Sequence, residues 1–138
     1  MNPSIHIRSA LPMLVLALAA SAPAALAATP AELLAGYVAQ AGTPANAERG
    51  EKLFNTNFGK DLGLSCASCH GAVPTKASRH AISEKRVEPL APAFNDKRFT
   101  DRPKVEGWFR INCKDVMGRD CTAQEKADVL GWLITLKP

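Results

Sequence analysis

The sequence predicts an all-α domain, and three observations carry that prediction. Thr29-Pro30-Ala31-Glu32 and Thr122-Ala123-Gln124-Glu125 are both capping boxes, in which a threonine hydroxyl and a glutamate three residues on satisfy each other's backbone N–H groups at a helix start. The segments that follow them repeat apolar residues three and four apart. No segment alternates apolar and polar residues with the period of two that a half-buried strand needs.

In chain order, residues 1–27 read as a secretory signal. His6 and Arg8 precede an apolar run from Leu11 to Ala20, and small residues end in Ala25-Leu26-Ala27. Cleavage after Ala27 leaves 28–138 as one domain, exported to the periplasm. An uncleaved membrane anchor is the rival, since Leu11 to Ala28 carries no charge. Pro12 and Pro23 interrupt that run, and its second half is mostly alanine, weakly apolar for a span. No cysteine stands near the cleavage point to take a lipid.

The first mature helix starts with Thr29 as N-cap and Pro30 at the first helical position, and runs to about Gln40, before Gly42, Thr43 and Pro44. A second helix follows from Asn46. Gly50 and Phe54 lie four apart on one of its faces, and a glycine inside a helix, at about 1 kcal/mol relative to alanine, suits a place where another helix approaches closely. The last helix is the expected partner. Gly71 to Phe99, with prolines at 74, 89 and 92, reads as an irregular wrap with at most a short helix near Ser83. Thr100-Asp101 caps a helix from about Arg102 to Ile111, with Val105, Trp108, Phe109 and Ile111 as its apolar members. The C-terminal helix runs from Thr122 to about Leu136 and buries Ala127, Leu130, Leu133, Ile134 and the stem of Lys137.

Cys66-Ala67-Ser68-Cys69-His70 carries the chemistry. A C-x-x-C-H pentad is an attachment site for c-type haem. Two thiols on one helical turn add across the two vinyl groups of a single haem, and the next residue, His70, becomes the proximal iron ligand through its neutral imidazole. A thioredoxin-like pair would follow a strand in a βαβ pattern, and a four-cysteine zinc site would show a second C-x-x-C rather than the wide Cys113 to Cys121 pair. Neither condition is met. With 46% hydrophobic but only 6% aromatic residues, the chain suits a core that gains apolar surface from one covalent haem c. The formal charge of +4, or +3 without Arg8, is too small and scattered for nucleic acid.

The order of a helix with Gly50 and Phe54, the pentad, an irregular middle and a final amphipathic helix resembles the class I cytochrome c fold across 28–138. In that fold the distal ligand is usually a methionine, and Met117 lies 47 residues beyond His70. A narrower likeness spans about fifty residues. Pro89-Leu90-Ala91-Pro92, Arg98-Phe99-Thr100-Asp101, Val105-Glu106 with Trp108, Asn112-Cys113, Gly118-Arg119-Asp120-Cys121 and Glu125-Lys126-Ala127-Asp128 are similar to the sphaeroides haem protein family of asparagine-ligated monohaem cytochromes c. The resemblance implies that Asn112 is the distal ligand of the oxidised iron and that Cys113 and Cys121 form a disulfide. It also implies a dihaem cytochrome c as electron donor. Ile111 departs from the family, whose members carry arginine before the ligand, which bears on the polarity of the distal pocket.

The residues support part of this independently. With Cys66 and Cys69 taken by haem, the two remaining cysteines of an exported chain should pair, and their bridge would hold whichever of Asn112 and Met117 faces the iron. The two ligands lead to different functions. A thioether holds ferrous iron and makes a plain electron carrier; a hard amide oxygen holds ferrous iron poorly, so reduction opens the site to oxygen, nitric oxide or carbon monoxide. His80, the other mature histidine, is a third candidate, although ten residues is little chain to cross from one haem face to the other. Lys76, Arg79, Lys85 and Arg86 form a solvated face or meet haem propionates or an acidic redox partner. No acid–base constellation beyond the haem marks an enzyme.

Overall fold

The computed structural model describes residues 27–59 and 63–138. Apart from Ala27, the expected leader lies outside the described residues. Among the described residues five α-helices set the architecture: α1 (Pro30–Ala41), α2 (Ala47–Asn55), the single turn α3 (Ala67–His70), α4 (Arg102–Met117) and α5 (Ala123–Thr135). Both predicted capping boxes form, with Glu32 and Glu125 each closing back on its N-cap threonine. Asn46 caps α2 through the Arg49 N–H at 2.7 Å.

α5 is the centre of the fold and packs along both α1 and α2. Contact on two sides buries Ala127, Asp128, Val129 and Leu130 in succession, together with Trp132 and Leu133. Ala127, Leu130 and Leu133 are fully buried as expected, whereas Ile134 is half-buried and Lys137 exposed. Leu33 and Tyr37 from α1, Phe54 from α2, Phe99 and Val105 complete the core. The close approach expected at Gly50 is present: a Cβ there would lie 2.0 Å from the Asp128 carbonyl oxygen. Asp128 sews the same crossing together, accepting from the Asn46 N–H at 2.8 Å, from Gln124 at 2.9 Å and from the Arg49 guanidinium.

The wrap differs from expectation in detail. Instead of a helix near Ser83 it forms a two-stranded antiparallel ladder, β1 (Ser78–Arg79) with β2 (Arg86–Val87), Ser78 opposite Val87, and a 3₁₀ turn at Pro92–Phe94. Strands of two residues are too short to show an alternating pattern. The other difference lies in α4, which runs through Asn112 and Cys113 to Met117 rather than stopping at Ile111. Nothing between 111 and 117 breaks a helix; Gly118, at φ +71°, does so by adopting the left-handed conformation.

Candidate functional site

The pentad is held as one tight turn. Ser65 and Ser68 cap it reciprocally: each hydroxyl accepts the other's backbone N–H, at 3.0 and 3.2 Å. The His70 N–H reaches the Cys66 carbonyl at 3.1 Å. That turn brings Cys66 and Cys69 to one side, both unbonded and half-buried, and burial pushes the Cys66 thiol up to about 11. His70 is pushed down to about 4, by burial first and then by the positive charges of Arg98 and His80. Its imidazole is therefore neutral near pH 7, the form that ligates iron. His70 Nδ1 is buried without a hydrogen-bond partner. The Phe54 ring stands 6.1 Å from the His70 ring and 5.1 Å from that of Trp132, so α2 and α5 together back the imidazole.

The β1–β2 hairpin closes over Cys69. Ser78 Oγ donates to the Cys69 carbonyl at 2.5 Å, and the Ala81 N–H donates to Cys69 Sγ at 3.3 Å. His80 Nδ1 accepts from the Ile82 and Ser83 N–H groups at 3.3 and 3.2 Å. His80 thus serves the hairpin turn, on the pentad's side of the site. Behind it, Arg98 donates to the Pro89 and Glu88 carbonyls, each at 2.9 Å. Its guanidinium charge bears on His70, a role that sequence reading missed because only the convergence of the two segments reveals it.

Asn112 comes from a separate element. α4 buries Val105, Cys113, Val116 and Met117, and at about 100° per residue Asn112 and Met117 stand about 140° apart on its circumference. Met117 packs with Cys113 and Val116 against Leu53, Phe58 and Leu64. Asn112 is half-buried on the opposite flank, toward Trp108. Trp108 and Ile111, apolar members of this helix as expected, are 53% and 49% exposed, apolar surface that a haem can cover. Cys113 is bonded to Cys121, so the residue after Asn112 is tied covalently to the residue just before the N-cap of α5.

These residues fit a haem. Two unbonded thiols share a turn with a neutral imidazole, and Val73, Ile82, Trp108 and Ile111 offer exposed apolar surface. A zinc site does not fit, for among the described residues no group of three His, Cys, Asp or Glu side chains converges to hold a metal ion.

Helices wrapped around a C-x-x-C-H turn place the chain among the c-type cytochromes, proteins with haem c attached covalently. Residues 40–133 match a family described as a domain of unknown function, DUF1924. Cytochrome c-type protein SHP of Cereibacter sphaeroides is 50% identical over 107 residues, 76% of this chain and 82% of that protein. Cytochrome c'' of Methylophilus methylotrophus is 41% identical over 88 residues, 62% of this chain and 61% of that one. Among solved structures, oxidised SHP, described as an oxygen-binding cytochrome c, superposes with a TM-score of 0.73 at 49% identity, over 78% of this chain and 97% of that chain. Oxidised cytochrome c'' superposes with a TM-score of 0.72 at 33% identity, over 79% and 95%. The chain belongs to the SHP family of c-type cytochromes and carries one covalent haem c. No helix among the described residues is long and apolar enough to cross a membrane.

Proposed function

We propose that this cytochrome is exported to the periplasm, transfers electrons, and takes up a diatomic gas, oxygen or nitric oxide, when its iron is reduced. Haem c supplies the redox-active iron. Cys66 and Cys69 hold it through thioethers, and His70 ligates from the proximal side with Phe54 behind its ring. Asn112 is the distal ligand of the oxidised state. Its amide oxygen is a hard, neutral donor, suited to ferric iron and poorly to ferrous. On reduction Asn112 withdraws and its amide N–H becomes available to donate a hydrogen bond to an entering gas. A dihaem cytochrome c is the proposed electron donor.

The observation that carries this reading is the division of α4. Met117, the ordinary alternative, is buried in its own apolar cluster, while Asn112 stands half-buried on the other flank beside the disulfide. The hydrogen bonds to His80 Nδ1 and its seat beside Cys69 argue against a second histidine ligand. The SHP relative's description as oxygen-binding supports uptake of a gas. The test is the ferrous spectrum with and without carbon monoxide, on wild type and Asn112→Ala. Wild type should bind carbon monoxide, and Asn112→Ala should lose the six-coordinate ferric spectrum. A ferric methionine charge-transfer band, or a ferrous protein indifferent to carbon monoxide, would overturn it.

A further inference from the structure

α4 carries Asn112, yet it stands off from the other helices and reaches them through side chains, in contrast to the close packing of α5 on α1 and α2. Beyond the apolar contacts of Val105, Val116 and Met117, two specific tethers hold it. Toward its C-terminus the Cys113–Cys121 disulfide spans 5.6 Å between Cα atoms. In its N-terminal half, Lys126 Nζ of α5 meets Glu106 Oε2 at 2.6 Å. The same ammonium lies 5.6 Å from the centroid of the Tyr37 ring and 5.8 Å from that of Phe109, and those rings meet edge to face at 5.8 Å. Tyr37 belongs to α1 and is fully buried. One charged group therefore joins α1, α4 and α5.

The geometry is that of a clamp. Glu106 and Cys113 are roughly 10 Å apart along the helix axis, and Asn112 lies between them. Both tethers end on the same short stretch, 121–126. Apolar contacts of Val105 and of the Met117 cluster also hold α4; the ion pair adds a charged, directional anchor two turns before Cys113 that resists rotation and sliding more than apolar packing does. Phe109, whose ring is part of the anchor, lies one turn before Asn112. The Lys126 side chain is 19% exposed and that of Glu106 39%, so the pair is screened only somewhat less than one between fully exposed charges.

We propose that Lys126 and Glu106 are positioning residues for the distal ligand: their ion pair, seated on the Tyr37 and Phe109 rings, limits the swing of α4 and so sets how readily Asn112 leaves the haem face. The inference rests on Asn112 being that ligand. Imidazole binding to the ferric holoprotein, followed by stopped-flow absorbance, reads the departure of the native ligand. Lys126→Met keeps most of the unbranched side chain and removes its charge. It should bind imidazole about fivefold faster than wild type, the size of change that loss of such a pair supports. Glu106→Gln should do the same and stands in if Lys126→Met does not fold; Lys126→Arg should restore most of the wild-type rate. Asn112→Ala should bind fastest, with no further gain on adding Lys126→Met. If both charge-removing variants melt lower but bind imidazole at the wild-type rate, while Asn112→Ala is fast, the clamp is overturned and the ligand stands. If Asn112→Ala binds at the wild-type rate, the ligand reading falls and the clamp with it.

Discussion

Replacing Gly50 with alanine tests the crossing on which the proximal side of the site is built. The new methyl would sit 2.0 Å from the Asp128 carbonyl oxygen, 2.4 Å from its carbon and 2.9 Å from the Val129 nitrogen. All three are backbone atoms of α5 and cannot rotate aside. Ordinary contact begins near 3.4 Å, so α2 must retreat by roughly 1.4 Å. Overpacking costs about 1–3 kcal/mol, and more where nothing yields; alanine recovers about 1 kcal/mol of helix propensity. Because the three facing atoms are backbone and cannot yield, the overpacking falls at or just above the top of that range, at roughly 3–4 kcal/mol. The expected net loss is therefore roughly 2–3 kcal/mol, or about 10–20 °C in Tm for a domain of this size. Phe54, one turn along the same face, backs the His70 ring, so the loss should appear both in far-ultraviolet circular dichroism and in haem absorbance during denaturation of the holoprotein. A midpoint equal to or above that of wild type would refute the reasoning, because the helix-propensity gain would then be acting unopposed.

Asp128 sits at the same crossing. Burial alone would raise its pKa, but Arg49, the Asn46 N–H and Gln124 outweigh burial and hold the carboxyl below its usual range. A depressed folded pKa contributes stability that is fully present above the unfolded carboxylate value of about 3.9 and is lost as pH falls through the folded value. Asp128→Asn should therefore cost about 1–3 kcal/mol at pH 7 and flatten the acid limb of the stability curve; an acid limb identical to that of wild type would count against it. Removing the disulfide as Cys113→Ser with Cys121→Ser opens a loop of eight residues and should cost about 2.5 kcal/mol in chemical denaturation. No change would mean that the bridge leaves the unfolded chain unconstrained. Met117→Leu conserves volume in a buried cluster, so it should cost under about 1.5 kcal/mol and leave the ferric spectrum as it was. Loss of the six-coordinate spectrum in that variant would make Met117 the ligand.

What could be read in advance was whatever depends on neighbours in the chain. The capping boxes at Thr29 and Thr122 need only a hydroxyl and a carboxylate three residues apart, and both formed. Gly50 was legible for a different reason: its cost inside a helix has no local benefit, which pointed to a distant partner. The end of α4 was misplaced because Asn112 and Cys113 are poor helix formers but not helix breakers, and α4 continues to the glycine that can turn left-handed. The hairpin over Cys69 was missed because two-residue strands carry no period. Ser78 and Ala81 find their places through hydrogen bonds to the pentad, nine and twelve residues away.

The sequence by itself determined the haem attachment turn, the two capped helices that frame the domain, and the family, because each is written in short runs whose chemistry is complete within a few residues. Only the tertiary structure decided that Asp128 is a buried hub rather than a solvated charge, and that Arg98 bears on His70. It also decided that Met117 turns into an apolar cluster while Asn112 keeps the other flank. These outcomes depend on groups brought together from up to about eighty residues apart. Burial and charge act through space, and a linear pattern holds no record of which distant partner will be there to satisfy them.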